Sequence, residues 1–104
     1  MKAPISRFVV YGNSMTPRLR AGQNVLSFNW AYLLGGKPKV GDILVVKFNG
    51  KEMIKRVQEV RGDEVFIEGD NEHESTDSRH FGPISLDQVV GKVIYTHQTY
   101  HNEY

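Results

Sequence analysis

Asp42-Ile43-Leu44-Val45-Val46-Lys47-Phe48-Asn49-Gly50-Lys51-Glu52-Met53-Ile54-Lys55-Arg56-Val57 holds two strand-like runs joined by Asn-Gly. That dipeptide is the two-residue signal for a type I′ turn, because both central positions need positive φ and the resulting twist matches that of the flanking strands. The spacing predicts strands over residues 42–48 and Lys51–Arg61. Side chains alternate between the faces of a strand, so Met53, Lys55 and Val57 share one face. Lys55 is thus flanked on its own side by apolar groups. A lone strand lysine ordinarily snorkels its amine to water, whereas this setting favours a desolvated amine.

The same reading extends outward. Residues 8–11 read as a strand ending at Gly12, and Asn24–Phe28 as a second, with a short turn around Pro17 between them. Ser14 is therefore expected just past a strand end. Residues 30–36 read as a helical turn or a loop, and the pattern does not choose between the two. Glu64–Glu68 forms another short strand after a Gly62-Asp63 turn, residues 69–83 a long polar loop, residues 89–96 a final strand, and residues 97–104 a frayed polar tail. No repeat, linker or low-complexity tract interrupts the chain. The expectation is a mainly β fold with short helical turns, one catalytic domain over residues 1–104.

Composition narrows the function. The 104 residues carry 13 Lys and Arg against 12 Asp and Glu, a formal charge of +1 with a pI near 8.0. That balance falls short of a nucleic-acid binder. There is no cysteine, which removes disulfides, thiolate metal sites and cysteine nucleophiles. The first ten residues include Lys2 and Arg7 but only a short apolar stretch, too brief for a signal peptide. No run approaches the roughly 20 apolar residues of a spanning helix. These features imply a cytoplasmic or peripherally membrane-associated protein, with Trp30, Tyr32 and Leu33 as a candidate membrane-contact patch. Oligomeric state is not legible.

Three blocks carry chemistry: Gly12-Asn13-Ser14-Met15-Thr16-Pro17, then Ile54-Lys55-Arg56-Val57, then Gly69-Asp70-Asn71 running into Ser75-Thr76-Asp77-Ser78-Arg79-His80-Phe81-Gly82-Pro83. A Gly-Asn-Ser segment alone is ordinarily a turn, and Gly-Asp-Asn likewise favours turns. Taken together and in this order, the blocks resemble the type I signal peptidase family of serine peptidases, from about Phe8 to Tyr95. The wording is most like that of the family's small members, the nickel-type superoxide dismutase maturation proteases. The resemblance implies a small catalytic β core of the signal-peptidase and LexA kind. It implies Ser14 as nucleophile and Lys55 as general base. It also implies an oxyanion hole from the Ser14 backbone N–H and Gly12, where some members have a serine hydroxyl. Ser75 falls where the family orients its lysine. Asp77 and Arg79, with Asp70 and Asn71, fall where it stabilises the loop beside the site, and Met15 and Pro17 where it binds substrate. The implied partner is a polypeptide in extended conformation, with small residues such as Ala before the cleaved bond. The implied function is removal of an N-terminal leader from a precursor. No cofactor and no metal are implied.

The dyad sets a physical requirement. A free lysine has a pKa near 10.4 and is protonated at neutral pH, so it cannot accept the Ser14 proton. Bringing it to about 7 disfavours the ammonium by roughly 4 to 5 kcal/mol, within reach of full burial. Lys55 is therefore expected to be buried, in contact with the Ser14 hydroxyl, and without a carboxylate ion pair.

Other readings compete. His73, His80, His97 and His101 invite a metal or a Ser-His-Asp arrangement, and His97 with His101 has helical ligand spacing. However, these two lie in a tail without helical periodicity, and the Ser-Lys pair already gives the nucleophile its base. A self-cleaving repressor of the LexA kind needs a cleavable bond upstream of the nucleophile, whereas Ala21-Gly22 lies after Ser14. A β domain that binds extended peptides without cleaving them is the alternative from another class.

Overall fold

The Asn49-Gly50 turn has φ of 51° and 78° at its two positions, the pair of positive values that a type I′ hairpin requires. A computed structural model describes residues 3–33 and 35–97, with Tyr95 and His97 described by backbone alone. The turn joins β3 (Ile43–Phe48) to β4 (Lys51–Arg61), in the register Phe48↔Lys51 through Ile43↔Arg56. The other strands are β1 (Ile5–Val9), β2 (Asn24–Phe28), β5 (Glu64–Glu68), β6 (Ile84–Ser85) and β7 (Val89–His97). All pairings are antiparallel, in one sheet of order β1-β2-β7-β3-β4-β5-β6. The fold is mainly β, as expected.

β3 is the strand around which the sheet is buried on both sides. Leu44 and Val46 enter one core with Val57, Val65, Ile67, Ile84 and Val89, while Ile43 enters a second with Val10, Met15, Leu19 and Val25. That split explains the continuous apolar run over Ile43–Val46, since a strand buried on both faces loses its alternation. Each such aliphatic side chain contributes about 1.5 to 3 kcal/mol by leaving water. The second core is closed by the segment between β1 and β2, through Met15 at 1% and Leu19 at 0% exposure. This segment carries Ser14.

Several boundaries differ from expectation for identifiable reasons. β1 runs over Ile5–Val9 rather than 8–11, because Ile5, Ser6 and Arg7 pair with Phe28, Ser27 and Leu26. The polar Ser6 and Arg7 masked this half of the strand. In β4 the pairing with β5 slips between Val57 and Glu59. This bulge lets Val60 join Val57 against the first core, where strict alternation would oppose them. The 69–83 segment contains a 3-10 turn at Glu72–Glu74 and a one-turn helix α1 (Ser78–Phe81), capped by Asp77. Residues 30–33 form a turn. β7 takes in His97, the first residue of the tail expected over 97–104, because it pairs with Asn24; the rest of that tail, including His101, lies outside the described residues. Among the described residues no helix is long and apolar enough to cross a membrane.

Candidate active site

The free edge of β4 frames the site. β5 pairs with β4 only from Arg56 onward, so Lys51 to Lys55 have strand β3 on one side and no strand on the other among the described residues. Past β5 the chain turns back at this point. The Gly69 N–H donates to Asp77 Oδ2 at 2.8 Å, and the Asn71 N–H donates to the carbonyl of Ser14 at 2.8 Å. The turn bearing Ser14 is thus held from two sides, by its buried neighbour Met15 and by the 69–77 segment.

Lys55 is 5% exposed. Its Nζ donates to Ser75 Oγ at 2.9 Å, and Ser75 Oγ donates to Asp77 Oδ2 at 2.5 Å. Among the described residues, no hydrogen bond joins Lys55 Nζ to Ser14 Oγ and no carboxylate ion-pairs with Lys55. Ser14 and Lys55 instead line the same cleft, a cavity of about 150 Å³ shared with Val9, Val10, Met15 and Met53. Burial pushes the Lys55 ammonium below its ordinary 10.5, with the Asp77 charge opposing the shift and the Arg79 charge adding to it.

The Asp77 carboxylate is fully buried and accepts five hydrogen bonds. They come from the Gly69 N–H, the Ser75 hydroxyl, the Arg79 N–H, Arg79 Nε at 3.0 Å and Arg79 Nη2 at 2.8 Å. Burial alone would raise its carboxyl, but the hydrogen bonds from Arg79 and Ser75 overcome that and hold it well below the usual carboxylate range. Arg79 also donates to the Gly69 carbonyl. Asp77 and Arg79 therefore lock the loop that presents Ser75.

The remaining predicted residues fall into two sets. Met15 lines the cleft, and Gly12 sits at the turn with φ of 73° and open space where a Cβ would stand. A side chain there is opposed by backbone strain rather than by collision. Asp70 and Pro17 lie outside the cleft. Asp70 takes a two-pronged ion pair from Arg56, both contacts 2.8 Å, and Pro17 lines a separate depression with Arg20, Asn71 and His73. Asn71 Nδ2 donates to Thr16 Oγ1 at 2.9 Å, tying the third block to the first. Tyr32 is turned inward, packing on the first core with its hydroxyl donating to Asp42, apart from the exposed Trp30 and Leu33. Among the described residues no cluster of His, Asp or Glu could hold a metal ion.

Arg56, Thr16 and Gly69, quoted within the three blocks but given no role of their own there, position the site. Arg56 carried a signal, since alternation places it on the opposite face from Lys55. The family profile for signal peptidase, peptidase S26, matches residues 1–68 and 53–97. The chain belongs to this peptidase family. It is 33% identical over 110 aligned positions to the mitochondrial ATP-independent inner membrane protease subunit 1b of Arabidopsis thaliana, covering 82% of this chain. It is 31% identical over 115 positions to subunit 1a of the same plant, covering 86% of this chain. The chain spans 65% and 68% of the lengths of these two relatives.

Proposed function

We propose that this chain is a serine endopeptidase that removes an N-terminal leader from a protein precursor, with Ser14 as nucleophile and Lys55 as general base. The observation that carries the reading is the state of Lys55. It is buried in the cleft that Ser14 lines, held by a hydroxyl rather than a carboxylate, and shifted toward its neutral form.

Neutral Lys55 takes the Ser14 proton as Oγ attacks the peptide carbonyl carbon, and the carbonyl electrons move onto its oxygen. Backbone N–H groups at the Ser14 turn stabilise that oxyanion. Collapse expels the amine, which leaves with the proton from Lys55, and an acyl-enzyme remains. Lys55 then deprotonates water as its oxygen attacks the ester carbon, and collapse expels Ser14 Oγ, which takes that proton back from Lys55 as the acid is released. The only reactants are peptide and water. That suits the ATP-independent character of the named relatives, a property we carry over to this chain.

The peptide has a ready place. A groove of about 580 Å³ runs between β1 and the free half of β4, and it meets the Ser14 cleft at Val9, Tyr11, Glu52 and Ile54. An extended segment laid there gains backbone hydrogen bonds from strand edges and leaves selection to pockets for alternate side chains.

The test is incubation with precursor peptides containing Ala-x-Ala, comparing the parent with Ser14→Ala and Lys55→Met. Cleavage by the parent alone supports the dyad. Binding without cleavage by any of the three indicates a non-cleaving peptide-binding domain. A superoxide dismutase N-terminal extension belongs in the panel, and its exclusive cleavage would select the narrower maturation activity.

A further inference from the structure

We infer that Glu52 gives this cleft a preference for a basic side chain at one position of the leader, upstream of the cleaved bond. The inference rests on the peptidase reading above for its direction along the peptide, and on the cleft itself for its chemistry. Glu52 lines both the 150 Å³ cleft and the 580 Å³ groove, and is the one anionic residue lining either. Its side chain is exposed, and among the described residues it has no ion-pair or hydrogen-bond partner. Val9, Val10, Tyr11, Met15, Met53 and Ile54 complete the cleft wall beside Ser14 and Lys55, so Glu52 supplies its one negative side chain.

Strand geometry fixes where the preference falls. Glu52 and Ile54 share a face of β4, and a peptide strand along the free edge of β4 would present one residue on that face directly across from Glu52. Oppositely charged residues so placed attract, and like charges repel. Lys47 stands directly across from Glu52 on β3 and shares its face, but lines neither the cleft nor the groove, so Glu52 would lie between Lys47 and the peptide strand and be shared by both. The other cations of the groove act elsewhere. Lys51 projects from the opposite face of β4, and Arg7 of β1 lines only the outer groove. Both disfavour a basic residue farther along, so the preference is confined to one position.

The test uses alanine-based peptides containing Ala-x-Ala, with Lys or Glu placed singly at successive upstream positions. Affinity is read by fluorescence anisotropy on Ser14→Ala, and kcat/KM on chains with Ser14 intact. At one position Lys should exceed Glu by about 3- to 30-fold. Glu52→Gln should bring that ratio close to one, Glu52→Lys should invert it, and raising salt should compress it in the unmutated chain, where no folding defect can intervene. Equal affinity for Lys and Glu at every position, no binding of any peptide, or a ratio unchanged in Glu52→Gln overturns the inference. Charge-selective binding without turnover sustains it while removing the peptidase reading.

Discussion

Lys55 Nζ lies 2.9 Å from Ser75 Oγ, an oxygen whose own proton is directed to Asp77. A hydroxyl has one hydrogen. With that hydrogen committed to the carboxylate, Ser75 offers the amine only lone pairs, and a neutral Lys55 donating to it keeps its own lone pair for another donor. Ser14, on the same cleft, is the donor the mechanism requires. Ser75→Ala should therefore leave a folded protein whose kcat falls by about 10- to 100-fold, the scale seen when a supporting partner of an active group is lost. KM should change little, and Ser75→Thr should recover most of the rate. A drop in KM-linked binding alone, with kcat retained, would remove Ser75 from the positioning of the base.

The pH dependence has a defined sign. In the proposed mechanism Lys55 acts as a base only when neutral, so peptide cleavage should rise with pH along a limb whose apparent pKa lies below 10.5, in line with the burial that depresses it. Stability follows from the same shift. Because the folded chain releases the Lys55 proton more readily than the unfolded chain, the cost of the buried ammonium is present at low pH. It is relieved as pH rises from the folded pKa toward 10.5. Lys55→Met should then abolish cleavage while raising Tm at neutral pH, as hydrophobic replacement of a buried charge often does. A limb centred at or above 10.5 would show that burial does not tune this amine.

How far these features were legible depends on how local their causes are. The β3–β4 hairpin was readable because Asn49-Gly50 admits few other conformations, and the apolar flanks of Lys55 follow from alternation alone. β1 was displaced because its pairing with β2, not its own pattern, puts Ser6 and Arg7 in a strand. Helix α1 was hidden in a polar loop, since its start depends on Asp77 accepting from backbone N–H groups around it. The three site blocks are far apart in sequence, and their order pointed to one site. Their joints did not show in the sequence. Gly69 against Ser14, Asn71 with Thr16, and Arg56 with Asp70 are tertiary contacts between residues that read as turn or strand filler.

Asp77 gives a structural prediction with its own pH window. All five hydrogen bonds at its carboxylate are accepted, from the Gly69 N–H, the Ser75 hydroxyl and Arg79, so an amide in its place must point a donor at another donor. Asp77→Asn should destabilise the fold by about 3 to 5 kcal/mol, the usual result of breaking a buried pair on one side. Its folded carboxyl titrates below the free value, so the stabilisation is complete above that value, near pH 3.9, and is lost as pH falls beneath it. Acid unfolding of the parent followed by circular dichroism should show that loss, and Asp77→Asn should lack it. A variant as stable as the parent at pH 7 would contradict the role assigned to this network.

Gly69 offers the sharpest separation of stability from activity. A Cβ built on it would stand 2.3 Å from Ser75 Oγ, 2.7 Å from Ser75 Cβ and 2.6 Å from the carbonyl oxygen of Ser14. The carbonyl cannot simply retreat, because it belongs to the backbone and accepts the Asn71 N–H at 2.8 Å. Gly69→Ala must therefore push apart the turn carrying Ser14 and the serine that accepts from Lys55. The cost is about 1 to 3 kcal/mol for inserting a methyl group into filled space, which lowers Tm by roughly 4 to 8 °C per kcal/mol. The proper control is Gly50→Ala. Gly50 has φ of 78° and open space around its Cβ position, so alanine there strains the distant hairpin turn and lowers Tm without touching the cleft. Both variants should melt earlier than the parent, but only Gly69→Ala should lose kcat/KM by orders of magnitude when assayed well below its Tm. Retention of parental kcat/KM by Gly69→Ala would show that the close approach of Gly69 to both Ser14 and Ser75 is not what aligns the proposed dyad.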